Sequence, residues 1–206
     1  TGADEFNAAA RRDSWFSSEE AKRFSVNELE AAKQFAATYG SALCRVSRTR
    51  GSAEVIAARS DAPLYLGQIE YGSSASKTQI PLLGSFQGIA LPMLSGGNPY
   101  FGWADLSGAG YQAMAKQLRA YLKNFITSGD PNGKKLLSGS TRWQRWTPDF
   151  PALLVLDADA DHAITRCAAQ TETKESLLAA MEADSTLSPA LKQAVIKNVL
   201  KGRFFD

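Results

Sequence analysis

Histidine is nearly absent from this chain of 206 residues, in which His162 is the only one. A metal centre built from several imidazoles is therefore excluded. Cysteine is scarce as well, and neither of the two cysteines stands at a spacing typical of metal ligands. We predict from these scarcities that the chain holds no metal and needs no cofactor.

Long apolar runs and long basic runs are also missing. The apolar runs are far shorter than the about 20 residues that a membrane-spanning helix needs. The 23 Lys and Arg residues nearly balance 21 Asp and Glu residues, and the pairs Arg11–Arg12 and Lys134–Lys135 stand isolated. Isolated basic pairs are typical of solvated surface. The sequence thus predicts neither a membrane span nor a nucleic-acid partner.

The two cysteines, Cys44 and Cys167, leave two interpretations open. They are either unpaired, buried thiols or the two halves of one long-range disulfide. A disulfide would indicate an oxidising compartment. Composition alone does not choose between these interpretations.

Helical periodicity and capping signals account for much of the chain. Residues 17–39 are predicted to form a helix in two pieces, the second of which has Ser25 as its N-cap. Glu28 completes a capping box with Ser25, and we expect Gly40 to end the helix. A short helix is predicted over residues 53–58, and a C-terminal helix over 189–200 with Ser188 as its N-cap and Gly202 as its stop.

The most regular helix is predicted over residues 107–128, and we expect Gly129 to end it. Its apolar residues recur at spacings of three and four, which indicates a face packed in the core rather than a cofactor site. These residues are Tyr111, Met114, Leu118, Tyr121, Leu122 and Phe125.

Two strands are predicted, over residues 63–71 and 153–156. The predicted elements follow one another as helices, strand, loop, long helix, strand and helices. This order favours an α/β fold. Two strands are too few for a sheet, which averages about five to six. We therefore predict an α/β fold with an incomplete sheet, which makes the chain part of a larger domain.

Five segments in order resemble landmarks of the type-B carboxylesterases, cholinesterases and lipases. Gly84-Ser85-Phe86-Gln87-Gly88 resembles the G-x-x-H-G loop that carries the catalytic histidine, and Gly129-Asp130-Pro131-Asn132 resembles the most specific landmark. The others are Ala3-Asp4-Glu5-Phe6, Leu64–Tyr71 and Trp143–Leu156, which resemble the turn of the triad acid, a core strand and the final strand region. The resemblance covers most of residues 1–170.

This resemblance implies that residues 1–206 are the C-terminal portion of one α/β-hydrolase domain. An N-terminal portion of the same protein would complete the sheet and supply the oxyanion-hole loop and the nucleophile elbow G-x-S-x-G, which this chain lacks. We expect a longer polypeptide that is cleaved just before or within the region of Thr1. The implied reaction is hydrolysis of a small-molecule carboxylic ester through a serine acyl-enzyme.

Two residues stand at catalytic positions of the family. Glu5 matches the acid of the triad, and Gln87 matches the histidine. A glutamine amide accepts no proton near neutral pH, so we predict that this form is inactive. Three interpretations stay open: an inactivating substitution in an active hydrolase, a natural pseudoesterase that acts as a binding or adhesion module, or a relocated base at His162.

Further features bear on the site and on the compartment. Ala90 departs from the family, in which many relatives carry an acidic residue near this position. An N-terminal nucleophile at Thr1 and an interaction domain without a site are additional alternatives. Residues expected either to line a substrate pocket or to pack in the core are Phe86, Leu91, Met93, Tyr100, Phe101 and Trp103.

The resemblance also implies a pairing of the cysteines. In the cholinesterase branch, cysteines at the places that match Cys44 and Cys167 form a disulfide. We therefore predict this disulfide and, from it, a secreted or periplasmic protein.

Overall fold

The computed structural model describes residues 13–73, 75–80, 84–86, 88–97 and 106–201. Within these ranges the chain divides into two units. The first unit comprises the described residues of Ala53–Thr171, and the second comprises those of Asp4–Ser52 and Glu172–Asp206.

Six α-helices occur in the described ranges, and we number them in chain order. They are α1 Val26–Arg45, α2 Gly51–Ala57, α3 Ala90–Ser95, α4 Ala109–Ser128, α5 Lys174–Ala183 and α6 Pro189–Val195. Short 3-10 turns at Ser14–Ser17 and Ala21–Arg23 precede α1, and π-helical turns at Val46–Arg50 and Ile196–Leu200 follow α1 and α6.

Three strands form one mixed sheet in the first unit. They are β1 Leu66–Ile69, β2 Ala152–Ala158 and β3 Ala163–Ala169, in the spatial order β1-β2-β3. β1 runs parallel to β2, and β3 runs antiparallel to β2. Every residue of β2 is buried, as expected for a central strand that is covered on both faces. The helices and this small sheet agree with the predicted α/β class.

The third strand corrects the sequence analysis, which predicted two strands, the second of them over residues 153–156. β3 begins immediately after His162 and pairs along its whole length with β2. Its residues are half-buried or exposed, so their sequence has no apolar alternation to signal a strand. The strand forms because it pairs with the buried β2, although its own sequence has no strand pattern.

Helix α4 confirms the predicted long helix. Four residues of its apolar stripe are buried, whereas Phe125 is 42% exposed and departs from the prediction. Each large buried side chain contributes about 1.5–3 kcal/mol. The helix ends at Gly129, whose φ of 73° is left-handed and whose N–H donates to the carbonyl of Phe125 at 2.7 Å.

Helix α1 in the second unit confirms the predicted capping box. The Ser25 N–H donates to Oε2 of Glu28 at 2.8 Å, and the Glu28 N–H donates to Oγ of Ser25 at 3.3 Å. The predicted stop at Gly40 is wrong, because α1 continues to Arg45. A buried cluster that includes Leu43 outweighs the about 1 kcal/mol that a mid-helix glycine costs.

The C-terminal helix α6 begins as predicted, with the Ser188 side chain accepting from the backbone N–H of Leu191 and Pro189 at the first helical position. The predicted stop at Gly202 lies outside the described residues. The core of the second unit is apolar, and its members include Trp15, Phe35, Leu191, Val195 and Leu200.

Candidate functional site

Both predicted site residues, Glu5 and Gln87, lie outside the residues that the structure describes. The described segments 84–86 and 88–97 come immediately before and after position 87. We therefore build the candidate site from the contacts that hold these two segments.

The segment before position 87 is tied to the end of β1. Ser85 is fully buried, and its hydroxyl donates to the carbonyl of Ile69, the last residue of β1, at 2.7 Å. Phe86 is buried beside it in the core of the first unit. Because β1 is parallel to β2, this contact places the segment at the carboxyl ends of both parallel strands.

The segment after position 87 is tied to α4. Gly88 has a φ of 93°, a conformation that only glycine adopts readily, and the chain then enters α3. The hydroxyl of Tyr111 in α4 donates to the carbonyl of Ile89 at 3.0 Å, and the guanidinium of Arg119 donates to the carbonyl of Met93. Burial raises the pKa of Tyr111, so its hydroxyl stays a protonated donor at neutral pH.

A second loop, residues 72–80, packs against the first. The N–H of Gly72 donates to Thr78 and its carbonyl accepts from Ile80, both at 2.8 Å. Gly72 has a φ of 90°, and a Cβ there would lie 2.8 Å from the carbonyl oxygen of Gly84. The close approach of the two loops therefore requires glycine at this position.

Asp157 near the carboxyl end of β2 holds the same loop. Its carboxylate is buried and accepts hydrogen bonds from the hydroxyl of Ser76 and from the N–H of Lys77. The hydroxyl of Thr78 donates to the carbonyl of Ala158 at 3.1 Å. Sequence reasoning missed Asp157, although one acidic residue at the end of an apolar strand could have signalled it.

We call residues 72–80 and 84–89 the strand-end loops, with reference to their described members. Their contacts converge on Ile69 and Asp157, at the carboxyl ends of two adjacent parallel strands. In open α/β sheets, ligands bind in the crevice outside the carboxyl ends of the strands. The strand-end loops are therefore the candidate functional site of the first unit.

The residues expected to line a pocket divide into three groups. Phe86 and Met93 are buried in the core of the first unit, whereas Leu91 is 49% exposed. Tyr100, Phe101 and Trp103 lie outside the described residues. Core packing accounts for the two buried members.

His162 lies in the turn between β2 and β3. Its imidazole is 81% exposed, and its Nδ1 is 3.5 Å from Oδ1 of Asp159. The backbone N–H groups of His162 and Asp161 donate to that carboxylate and, in this order, lower the pKa of Asp159. These contacts are those of a solvated turn.

The predicted disulfide is not present in the structure, in which both cysteines are thiols. Cys44 is buried, and Cys167 is exposed and donates to the carbonyl of Arg142 at 3.1 Å.

Among the described residues, no three His, Cys, Asp or Glu side chains are grouped to hold a metal ion. No helix in the same residues is long and apolar enough to cross a membrane.

Three of the segments that carry the family resemblance are joined by side-chain hydrogen bonds. Asn132 is buried and exchanges two hydrogen bonds with the backbone of Trp143, at 2.7 and 3.0 Å. The indole N–H of Trp143 donates to the carbonyl of Leu66 in β1 at 2.8 Å. The landmark turn at 129–132 thus helps to fix the strand that bears the strand-end loops.

No protein-family model matches the chain, and no curated protein matches it significantly. The resemblance to esterases therefore depends on the landmark segments of the sequence alone.

Proposed function

We propose that this chain is the C-terminal portion of a serine carboxylic ester hydrolase of the type-B carboxylesterase kind. The proposal assigns proton transfer to position 87 and the role of the triad acid to Glu5. The observation that carries the proposal is the attachment of both segments beside position 87 to β1 and α4 at the carboxyl ends of the parallel strands. In open α/β sheets ligands bind at this end of the strands, which supports a ligand site beside the two segments.

The chemistry explains why the residue at position 87 matters. A serine nucleophile needs a base that takes its proton and returns it to the leaving alcohol. Gln87 can donate through its amide N–H and accept through its amide carbonyl, but it cannot carry that proton. We expect the Gln87 form to bind ester and to turn it over about 10⁴-fold more slowly than a histidine form.

The proposal includes a partner, which is the N-terminal portion of the same protein. That portion supplies the serine in G-x-S-x-G, the oxyanion hole and further strands. The sheet that the described residues form has three strands, fewer than the average of about five to six, and this supports such a partner. Secretion or export to the periplasm follows from the resemblance alone, since the cysteines are thiols.

The complete polypeptide that contains this chain tests the proposal. We expect Gln87→His to raise the hydrolysis of a p-nitrophenyl ester by about 10⁴-fold, because it restores proton transfer. Glu5→Gln in that background is expected to remove most of the gain. The matched control is His162→Gln, which changes the exposed turn histidine and should keep the gain.

Two outcomes would contradict this proposal. If neither the Gln87 form nor the Gln87→His form hydrolyses esters, the protein is better described as a binding or adhesion module. If His162→Gln abolishes hydrolysis, His162 is the base and position 87 is not.

A further inference from the structure

The turn that follows α4 contains the only Asn-Gly pair of the chain, Asn132–Gly133. The backbone nitrogen of a residue can attack Cγ of the asparagine before it and close a five-membered succinimide. The Cγ–Nδ2 bond breaks, and the side-chain nitrogen takes up the proton of the attacking N–H and leaves as ammonia. Water then opens the ring to aspartate or isoaspartate. Glycine in second place favours this reaction, because it has no side chain and restricts the backbone least.

The fold requires glycine at position 133 for a separate reason. Gly133 has a φ of 54°, and a Cβ there would lie 2.7 Å from Cγ of Asn124. A larger residue, which would slow the succinimide reaction, is therefore strained at this position. The geometry of the turn thus keeps the reactive pair in the chain.

Hydrogen bonds hold both reacting groups of this pair in the folded turn. Oδ1 of Asn132 accepts from the backbone N–H of Trp143 at 2.7 Å, and Nδ2 donates to the Trp143 carbonyl at 3.0 Å and to Oδ1 of Asp130 at 2.7 Å. The N–H of Gly133 donates to the carbonyl of Asp130 at 3.1 Å. Asn132 is only 3% exposed. Its side chain cannot turn toward the Gly133 nitrogen without breaking these hydrogen bonds, so the folded turn opposes the reaction.

We propose that Asn132–Gly133 is a deamidation site, which the folded turn protects and which opening of the turn exposes. Aspartate at position 132 lacks the N–H groups that bind the Trp143 carbonyl and the Asp130 carboxylate, so the modified turn closes less readily. The backbone N–H of Asn132 is the main cause that lowers the pKa of Asp130, whose negative charge would repel the new carboxylate. The indole of Trp143 holds Leu66 of β1, so the modification weakens the support of that strand.

The test measures deamidation in the complete polypeptide that contains this chain, by peptide mapping with mass spectrometry. In urea, Asn132 should deamidate faster than the other asparagines of this chain, because it alone precedes a glycine. Without urea it should react at least about 100-fold more slowly, since the reaction then needs local opening of the turn. The measurement is independent of ester hydrolysis, and the inference does not rest on the proposed function.

Asp130→Ala tests the protection itself. It removes the carboxylate that accepts from the backbone N–H and from Nδ2 of Asn132, so deamidation without urea should become about tenfold faster. Asp149→Ala is the matched control, because Asp149 is an exposed carboxylate of the same unit, and it should leave the rate unchanged. In urea, the two variants and the unmodified polypeptide should react equally fast.

Asn132→Asp places the product of deamidation in the turn. We expect amide exchange at Trp143 to become about tenfold faster, because two hydrogen bonds of the turn are lost. Asn198→Asp in the second unit makes the same chemical change elsewhere and should leave exchange at Trp143 unchanged.

Four results would overturn the inference. The first is deamidation of Asn132 at the same rate with and without urea, and the second is an asparagine other than Asn132 that reacts fastest in urea. The third is an equal effect of Asp130→Ala and Asp149→Ala on the rate without urea. The fourth is unchanged amide exchange at Trp143 in Asn132→Asp. None of these results bears on ester hydrolysis, so the proposed function would stand or fall separately.

Discussion

The two units of the chain differ in what they bury. Among the described residues, seven of the eight buried polar side chains belong to the first unit, and only Ser41 belongs to the second. All seven glycines with positive φ in the described part of the chain also lie in the first unit. The buried polar residues of the first unit are Ser73, Ser76, Ser85, Gln117, Asn132, Asp157 and Gln170.

The first unit thus contains the features that fix loop conformations, whereas the second is stabilised mainly by apolar packing. A buried polar group lowers stability unless it is hydrogen-bonded, and a left-handed glycine loses more chain entropy than other residues. Four of these seven polar residues and three of these seven glycines lie in the strand-end loops or hold them. The described part of the second unit is helical around an apolar core, with one buried polar side chain, Ser41, and no glycine with a positive φ. A ligand site is therefore expected at the strand-end loops of the first unit.

Asp157→Ala gives the largest expected effect in the first unit. The substitution removes the acceptor for the Ser76 hydroxyl and the Lys77 N–H and leaves both donors without it. We expect a loss of about 3 kcal/mol in the free energy of unfolding. Urea unfolding measures the loss, and amide exchange should show that the strand-end loops open more often.

Leu191→Ala is the matched control for Asp157→Ala. Leu191 is 1% exposed in the core of the second unit, and its truncation is expected to cost about 3 kcal/mol as well. Amide exchange should rise around α6 and stay unchanged in the strand-end loops. If both variants increase amide exchange in the strand-end loops equally, the two units do not differ in the way described.

Gly72→Ala tests the loop geometry alone. The new Cβ would be strained by the φ of 90° and would lie 2.8 Å from the Gly84 carbonyl, so we expect a loss of about 2 kcal/mol. Gly96→Ala is the control, because Gly96 has a φ of 76° but no atom within 4 Å of its Cβ position, and about 1 kcal/mol of strain is expected. Thermal unfolding of both variants measures the difference. Equal losses would show that contact between the loops contributes nothing.

Local signals explain which parts of the fold could be predicted from the sequence. The capping box at Ser25, the apolar stripe of α4 and the stop at Gly129 all act within a few residues of each other. Helix α5 was not predicted, although Thr173 and Ser176 cap each other at its start, because its short apolar stretch is weakly periodic. Gly40 was misjudged, because packing further along the chain extends the helix.

The candidate site was less predictable, for a different physical reason. The segment Gly84–Gly88 could be recognised in the sequence, but the contacts that fix its described residues are not local. Asp157 and Ser76 are 81 residues apart in the chain, and Tyr111 and Ile89 are 22 apart. No periodicity or capping rule links residues at such separations, so only the folded sheet brings them together.

The smallest expected effect concerns Tyr39 in the second unit. Its hydroxyl donates to Oδ2 of Asp184 at 2.9 Å, and burial first, then this hydrogen bond and the Asp184 charge, raise the pKa of Tyr39 to about 12. A raised pKa means that the folded state favours the protonated phenol. Its contribution to stability is therefore complete below the unfolded pKa of 10.0 and disappears as the pH rises through about 12.

Tyr39→Phe measures this contribution. Because the site is half-buried, solvent screening should keep the difference below about 1 kcal/mol. We expect the urea midpoint of the unmodified chain to fall more steeply between pH 10.0 and about 12 than that of Tyr39→Phe. Parallel curves would contradict the prediction. Amide exchange at each pH would locate the effect. A pH-dependent increase confined to the amides of α5 and α1 would assign this sensitivity to the second unit. The strand-end loops would then respond to changes at Asp157 and Gly72 instead.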